Sequence, residues 1–253
     1  MARRPAQEIA DALRSEILAG SLRPGDQVLS EHELARQFST TRTSAQKAIA
    51  ALRAEGHLIS EHGRGSFVRT RPTIRLLATG SNYRQRRADG LSNFDDEAAA
   101  QGLRAEWRVL QVAAVRAPAE IAERLGRAQD QTVIVRRQQF FVDDEPMQLS
   151  DGYYPAQIAA GTPIEQPAVI GQGSLAVIEA KDGPVRRRVA RFVEDLDIRM
   201  PIPSETAALN IPPGVPVARV LRTAYDSTET AVEVLDSILP ADRYLFRYII
   251  NVP

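Results

Sequence analysis

A cationic hairpin with glycine on both sides of its arginine constrains the fold of this chain more than any other sequence feature. Its tip reads Gly63-Arg64-Gly65 and lies between two segments typical of short strands, residues 57–60 and 66–69. Glycine lets a backbone approach another surface closely, and an arginine between two glycines can enter the minor groove of DNA, where the negative potential is enhanced. The tip therefore predicts a wing that contacts duplex DNA.

Amphipathic segments precede this hairpin. Apolar residues recur every four positions over residues 5–19, which predicts a first helix. Ser30 and Glu33 have the spacing of a capping box, in which each side chain bonds the backbone of the other, and this predicts a second helix from about residue 31 to 38. Turn-forming residues separate the two helices.

A third predicted helix presents polar and cationic side chains near its start. The run Ser39-Thr40-Thr41 offers its N-cap, and the helix ends near Gly56. Its predicted buried stripe consists of Ala45, Ala48, Ile49 and Leu52, and its other face carries Arg42, Thr43, Gln46 and Lys47. The helical pattern alone favours an ordinary three-helix bundle with a solvated face. The wing reverses that preference and predicts a winged helix-turn-helix whose third helix enters a major groove about 12 Å wide.

Several motifs of this region resemble the GntR family of bacterial transcription regulators. The matching stretches are Gly20-Ser21-Leu22-Arg23-Pro24-Gly25, Leu29-Ser30-Glu31-His32-Glu33-Leu34-Ala35, Thr41-Arg42-Thr43-Ser44-Ala45-Gln46-Lys47-Ala48-Ile49, Leu52-Arg53-Ala54-Glu55-Gly56 and Gly63-Arg64-Gly65-Ser66-Phe67-Val68. So many matches at fixed spacings are far more specific than one short motif. The resemblance implies binding to double-stranded operator DNA.

Two positions depart from the family pattern. His32 and Gln46 stand where the family often has arginine, in the second helix and in the recognition helix. Gln46 can read adenine through two hydrogen bonds, so the departure points to an altered operator and not to a loss of DNA binding. The predicted DNA-binding residues are His32, Arg42, Thr43, Gln46, Lys47, Arg64 and Gly65.

The chain is predicted to divide into residues 1–70, a linker at 71–92 with one short strand at 74–78, and a second domain at 93–253. The linker contains the arginine run Arg84, Arg86 and Arg87, for which both a solvated surface and a contact with the DNA backbone remain open. In the second domain, strand-like segments are predicted at 106–112, 133–142, 147–154, 185–200, 215–225, 231–239 and 244–252, and helices at 118–125, 155–160, 174–181 and 203–209. This order predicts an α+β domain around one antiparallel sheet.

The second domain resembles the UTRA effector-binding domain of the HutC subfamily, whose fold is similar to that of chorismate lyase. The resemblance is carried by Phe94-Asp95-Asp96-Glu97, Gly102, Asp143-Asp144-Glu145-Pro146-Met147, Tyr153-Tyr154-Pro155, Val232-Glu233 and Ala241-Asp242-Arg243-Tyr244. It implies a small-molecule effector bound in this domain. It also implies that two copies of the chain meet through this domain.

Family members that bind phosphorylated amino sugars clamp the phosphate with two arginines, and the resemblance places Gln138 and Phe140 at those positions. An amide and an aromatic ring cannot neutralise a phosphate, so we expect a more apolar pocket with Ser174 and Glu233 as its polar groups. Arg136 and Asp236 are added as a second polar end. The predicted effector residues are Phe94, Arg136, Gln138, Phe140, Ser150, Ser174, Ala176, Glu233, Asp236 and Leu239. The alternative reading, in which Phe140, Ala176 and Leu239 only fill a small core, stays open.

Enzymatic function is the rival hypothesis because of the resemblance to a lyase fold. The chain has no cysteine, and its three histidines are His32, His57 and His62, so the second domain lacks an imidazole base and no metal-ligand spacing is seen. We therefore expect no catalysis, no metal and no cofactor. The sequence also lacks a long apolar stretch and a secretion signal, which predicts a cytoplasmic protein without a membrane contact.

Charge is distributed unevenly although the formal net charge is +0. Residues 1–90 contain fifteen Lys or Arg against nine Asp or Glu, so the rest of the chain is acidic by the same margin. A basic first part is compatible with DNA as a partner. The sequence as a whole predicts a homodimeric repressor that binds a palindromic operator and is released by a small molecule.

Overall fold

The structure, a computed structural model, describes residues 5–70, 76–78, 93–128 and 130–248. The chain forms two compact units, one made of residues 1–73 and 210–216 and the other of residues 74–209 and 217–253. The arginine run at 84–87 lies outside the described residues, as do residues 249–253.

Three helices and a hairpin form the first unit, as the sequence predicts. They are α1 (Pro5–Ala19), α2 (Glu31–Gln37), α3 (Arg42–Ala54), β1 (Leu58–Glu61) and β2 (Gly65–Val68). The capping box at Ser30 is formed: its backbone N–H donates to Glu33 Oε2 at 2.8 Å, and Ser30 Oγ accepts from the Glu33 backbone N–H. The Thr41 side chain caps α3 by accepting from the Ser44 backbone N–H at 3.2 Å.

One apolar core joins these elements. Its buried members are Ile9, Ala10, Leu13, Val28, Leu34, Ala45, Ala48, Ile49, Leu52, Leu58 and Val68. The predicted stripe of α3 is therefore buried, and its opposite face is exposed. Burial of this stripe fixes which side chains of α3 face solvent.

A six-stranded antiparallel sheet forms the centre of the second unit, which confirms the predicted α+β class. Its strands are β4 (Ala105–Arg116), β5 (Thr132–Val142), β6 (Glu145–Pro155), β7 (Val189–Arg199), β8 (Val217–Asp226) and β9 (Ala231–Pro240). Their order in the sheet is β4-β5-β6-β9-β8-β7. The helices are α4 (Asn93–Ala99), α5 (Ala119–Arg124), α6 (Ala156–Ala159), α7 (Ser174–Glu179) and α8 (Pro203–Leu209), with a 3-10 helix at Pro163–Glu165.

Several predicted strands differ in bounds or partners, and the one predicted at 106–112 runs to Arg116. The last one, β10 (Tyr244–Phe246), does not join the antiparallel sheet but pairs in parallel with the linker strand β3 (Leu76–Ala78). The strand predicted from residue 185 begins at Val189, because the backbone N–H of Arg187 donates to the Ile178 carbonyl at 2.9 Å and holds this stretch beside α7. The partner of β10 is distant in sequence, whereas Ile178 lies only nine residues before Arg187.

One face of the sheet, which we call the effector face, carries Gln138, Ser150, Ser237 and Val220 side by side on β5, β6, β9 and β8. A buried cluster covers one end of this face, where Tyr154 and Ala224 meet Ile164 and Ile178 of the 3-10 helix and α7. Another cluster around Leu239 and Tyr244 covers the other end. The opposite face packs against α5.

Candidate DNA-binding surface and effector face

The exposed face of α3 carries four of the predicted DNA-binding residues: Arg42, Thr43, Gln46 and Lys47. Side chains four positions apart stand above one another on a helix, so Arg42 lies next to Gln46 and Thr43 next to Lys47. The structure thus brings the four together in two adjacent rows at the start of α3. His32 is also exposed, in the first turn of α2.

An ion pair orients Arg42. Its Nε donates to Glu31 Oε2 at 2.8 Å, while the arginine side chain stays 67% exposed. Since Nε makes this bond, the terminal amino groups of Arg42 can still contact a phosphate or a base edge. Glu31 was not among the residues predicted from the sequence, although it lies in the first turn after the Ser30 cap.

The wing tip is held by a residue that was not predicted from the sequence. Gln27 Nε2 donates to the Arg64 carbonyl oxygen at 2.8 Å. Gly65 has φ +113°, and a Cβ atom at this position would lie 2.8 Å from Gln27 Nε2. Glycine at position 65 therefore permits the positive φ angle and the close approach of Gln27. It has no side chain that could contact DNA.

Arg64 projects from this tip. Its side chain is 71% exposed, pairs with Glu61 and lies over the Phe67 ring at 5.5 Å from the ring centroid. These contacts are local to the hairpin, since both partners belong to β1 and β2. The Arg64 guanidinium is thus exposed at the tip of a short two-stranded hairpin that Gln27 holds in place.

The structure places most predicted effector residues on the effector face. Strand register aligns Gln138 with Ser150, and alternation along β5 puts Arg136 and Phe140 on the same face. Glu233 and Leu239 belong to this face through β9, where Leu239 pairs with Ala218. Leu239 is buried in the cluster at the end of the face, as the core-filling alternative supposes.

Asp236 is not brought to this site. It lies an odd number of residues from Glu233 on β9, so it points to the opposite face of the sheet. There it accepts from Arg219 at 2.7 Å, and Arg219 also donates to Glu120 of α5 at 2.9 Å. The expectation that Asp236 and Arg136 form one polar end is therefore wrong in its geometry.

Arg136 is fully buried, and its guanidinium is used by the protein itself. It donates to the carbonyl oxygens of Ile164 at 3.4 Å, Gln166 at 2.6 Å and Ala168. Burial lowers the pKa of Arg136 because desolvation disfavours the cation. These bonds make Arg136 a support for the loop that leads to α7, and its Nε is buried without a hydrogen-bond partner in the described part of the chain.

Glu233 forms a buried polar group with two hydroxyls. The Tyr154 hydroxyl donates to Glu233 Oε1 at 2.8 Å, and the Ser174 side chain hydrogen-bonds the same tyrosine. Burial raises the pKa of Glu233, an effect opposed by the positive charge of Arg222 and by the tyrosine bond. Burial and the charge of Glu233 in turn raise the pKa of Tyr154 well above its ordinary value.

A hydroxyl network crosses the middle of the effector face. Ser150 Oγ and Ser237 Oγ are 2.8 Å apart, and Gln148 Nε2 donates to Ser150 Oγ at 2.6 Å. The Tyr244 hydroxyl donates to Gln148 Oε1 at 3.2 Å. Ser237 was not predicted either, although stepping by two from Glu233 along β9 would have found it.

Aromatic rings surround Phe140. The Phe94 ring meets it edge-on at 5.1 Å between centroids, and the Trp107 ring stacks at 6.1 Å. Ala176 is partly buried on α7, two residues after Ser174. Gln138 thus lies beside the Ser150 hydroxyl, and Phe140 lies beside other rings.

Comparison with known proteins gives two domain families. Residues 100–245 match the UTRA domain, and residues 5–68 match the family described as bacterial regulatory proteins, gntR family. No helix among the described residues is long and apolar enough to cross a membrane.

Individual relatives cover nearly the whole chain. The HTH-type transcriptional repressor NagR of Bacillus subtilis is 25% identical over 94% of this chain and 91% of its own length. A crystal structure of a GntR-family transcriptional regulator has a TM-score of 0.70 and 28% identity, with 99% of both chains covered. PhnF from Mycobacterium smegmatis has the same fold, with a TM-score of 0.58 and 24% identity over 97% of this chain and 100% of its own.

Proposed function

Because the chain belongs to the GntR family of bacterial regulators and carries a UTRA domain of the HutC type, we propose that it is a cytoplasmic, homodimeric repressor of transcription. Two copies would bind a palindromic operator, since two-fold protein symmetry calls for two-fold symmetry in the DNA. The repressor named NagR supports the direction of regulation.

One observation carries the DNA-binding part of this proposal. The exposed start of α3 and the wing tip both present cations, Arg42 and Lys47 on the helix and Arg64 on the hairpin. A recognition helix reads base edges in the major groove, and an arginine wing reads the width of the minor groove. Thr43, Gln46 and His32 complete the proposed contact surface.

Replacement of Arg42 tests this surface. We expect Arg42→Ala to weaken retention of a DNA fragment from upstream of the protein's own gene in a gel-shift assay. The salt dependence of log affinity should become shallower by about 0.9 for each Arg42 in the complex. Arg53→Ala removes the same charge from the exposed last turn of α3 and should have a much smaller effect. Equal retention by the wild type and Arg42→Ala would contradict the assignment of α3.

The effector of the second domain is proposed to be a small molecule other than a phosphosugar. Gln138 and Phe140 offer no positive charge, and Arg136 donates to loop carbonyls instead. Release of DNA requires that the effector bind more tightly to the arrangement that does not fit the operator, since equal affinity shifts nothing. A large thermal stabilisation by glucose 6-phosphate would contradict this assignment.

A further inference from the structure

Arg222 lies on the effector face, on the strand next to the edge strand β7, and it is not among the predicted effector residues. It belongs to β8 and pairs in the strand register with Leu235 of β9. Leu235 pairs with Gly152 of β6, and Gly152 pairs with Arg136 of β5, so the four residues form one row across the sheet. The hydroxyl row of Ser150 and Ser237 is the next row along the strands. Arg222 is thus on the same face as the proposed effector contacts.

The guanidinium of Arg222 has no anionic partner within the described part of the chain. Its Nε is buried and makes no hydrogen bond to a described residue, and Glu194, its register partner on β7, forms no ion pair with it. The contact that it does make is with the Phe192 ring, 4.9 Å from the ring centroid. A buried donor without an acceptor is costly, so this arrangement is suited to an acceptor that arrives from outside.

Other arginines of the sheet have partners for their charged groups. The Nε of Arg136 is likewise buried and unbonded among the described residues, but its terminal nitrogens donate to carbonyl oxygens. Arg199 of β7 pairs with Glu205 at 2.6 Å, and Arg219 of β8 pairs with Asp236 at 2.7 Å. Glu233 attracts Arg222 electrostatically, but its carboxylate accepts the Tyr154 hydroxyl and lies beyond the reach of an ion pair.

The surroundings of Arg222 combine one cation with apolar side chains and hydroxyls. Val220 and Leu235 are partly buried beside it, and Leu196 of the edge strand is 40% exposed on the same face. Ser237, which faces Val220, supplies a hydroxyl. A ligand that fits this set has a single negative group and an apolar body.

We propose that Arg222 binds a carboxylate of the effector, which is accordingly an organic acid with an apolar body. This inference rests on the proposal that the second domain binds a small molecule. One guanidinium fork matches one carboxylate through two parallel hydrogen bonds. The dianionic charge of a phosphate ester would call for a second cation, and Arg136, the other arginine of this row, donates to loop carbonyls.

Thermal-shift titration of the full chain without DNA tests the proposal. The probes are benzoate and hexanoate, each compared with its uncharged primary amide, and glucose 6-phosphate, all in a chloride buffer. We expect both carboxylates to raise the melting temperature and the amides to leave it unchanged. Arg222→Gln should weaken the apparent carboxylate affinity by about tenfold or more, the range for a hydrogen-bonded charge.

Two further variants keep the result interpretable. Arg222→Lys retains the charge without the planar fork, so its affinity should fall between those of the wild type and Arg222→Gln. Arg116→Gln removes a charge from an exposed position at the end of β4 and should bind like the wild type.

Several results would overturn the carboxylate assignment. They are equal stabilisation by the amides, stronger stabilisation by glucose 6-phosphate, no stabilisation by either carboxylate, and undiminished binding by Arg222→Gln. If Arg222→Gln binds the carboxylates as the wild type does, the domain still binds small molecules and only the role of Arg222 fails. DNA binding is measured separately with Arg42→Ala, so its outcome is independent of these results.

Discussion

Two arginines on one row of the effector face differ in what their guanidinium groups contact. The terminal nitrogens of Arg136 donate to carbonyls of the segment before α7, whereas the guanidinium of Arg222 lies over the Phe192 ring and has no acceptor among the described residues. The Nε of both arginines is buried and unbonded there. The free energy of a buried cation depends on its partners more than on its burial, since desolvation is offset only by good hydrogen bonds. Arg136 therefore stabilises the fold, and Arg222 is left for a ligand.

Glu233 should make stability depend on pH. Its pKa in the folded protein is raised above the ordinary value of about 4.5, so the folded state binds the proton more tightly. The resulting stabilisation is complete below pH 4.5 and is lost as the pH rises through the folded pKa. We expect Glu233→Gln, which keeps an acceptor for Tyr154, to lose this dependence and to gain stability relative to the wild type as pH rises. Urea unfolding at several pH values measures it, and parallel pH profiles of the two proteins would exclude this role.

At single positions, the sequence indicates which face of a strand a side chain occupies better than it indicates which groups that side chain contacts. The structure brings Gln138, Ser150 and Glu233, which the resemblance selected, to one face of the sheet, and alternation along each strand is a local property. The same alternation places Asp236 on the opposite face, so its selection as an effector residue beside Arg136 was wrong. The use of Arg136 by a loop near residue 166 could not be predicted, since that contact depends on how a distant segment returns over the sheet.

Among the elements, α1 and the end of α3 are joined by a bidentate ion pair. Arg14 Nε and Nη2 each donate to Glu55 at 2.8 Å, and Arg14 also donates to Asp11 at 2.6 Å. The Arg14 bonds lower the pKa of Glu55 below its ordinary value of about 4.5. This pair fixes the packing of α1 against the recognition helix.

Loss of this pair should cost stability in a pH-dependent way. Because the folded pKa of Glu55 is depressed, its contribution is present above about pH 4.5 and is lost as the pH falls through the folded value. We expect Arg14→Gln to lower the free energy of unfolding by about 0.5 to 1 kcal/mol at pH 7, with a smaller difference in acid. Chemical denaturation measures the difference. Arg23→Gln, at an exposed position, is the matched control, and an equal loss in both variants would contradict the role of the pair.

Element boundaries were predictable where a local hydrogen bond sets them. The Ser30 capping box begins α2 at the predicted residue, and Thr41, the last of the three predicted cap candidates, begins α3. The pairing of β10 was not predictable, since its partner β3 lies more than 160 residues away in the chain. A short apolar segment does not encode which sheet it joins.

For the whole molecule, an overall charge of zero combines a basic first part, residues 1–90, with an acidic remainder. Three cations face the proposed DNA surface in each copy: Arg42, Lys47 and Arg64. Binding by a two-fold dimer should therefore give a slope of about −5 for log affinity against log salt, and binding by a single copy a slope of about −3. Fluorescence anisotropy of labelled operator DNA between low and moderate salt measures it, and a slope near zero would contradict the proposed surface.

Arg136 donates to the carbonyl oxygens of Ile164, Gln166 and Ala168, and this arrangement affects how genetic screens of the protein are interpreted. A genetic screen for variants that no longer respond to the effector should recover substitutions at position 136 as readily as substitutions at residues that contact the effector. Loss of Arg136 removes the support of the segment before α7, and α7 carries Ser174, which hydrogen-bonds Tyr154. The positions of such alleles would then overestimate the extent of the binding site. Titration of each variant protein with the effector distinguishes the loss of a ligand contact from the loss of local structure.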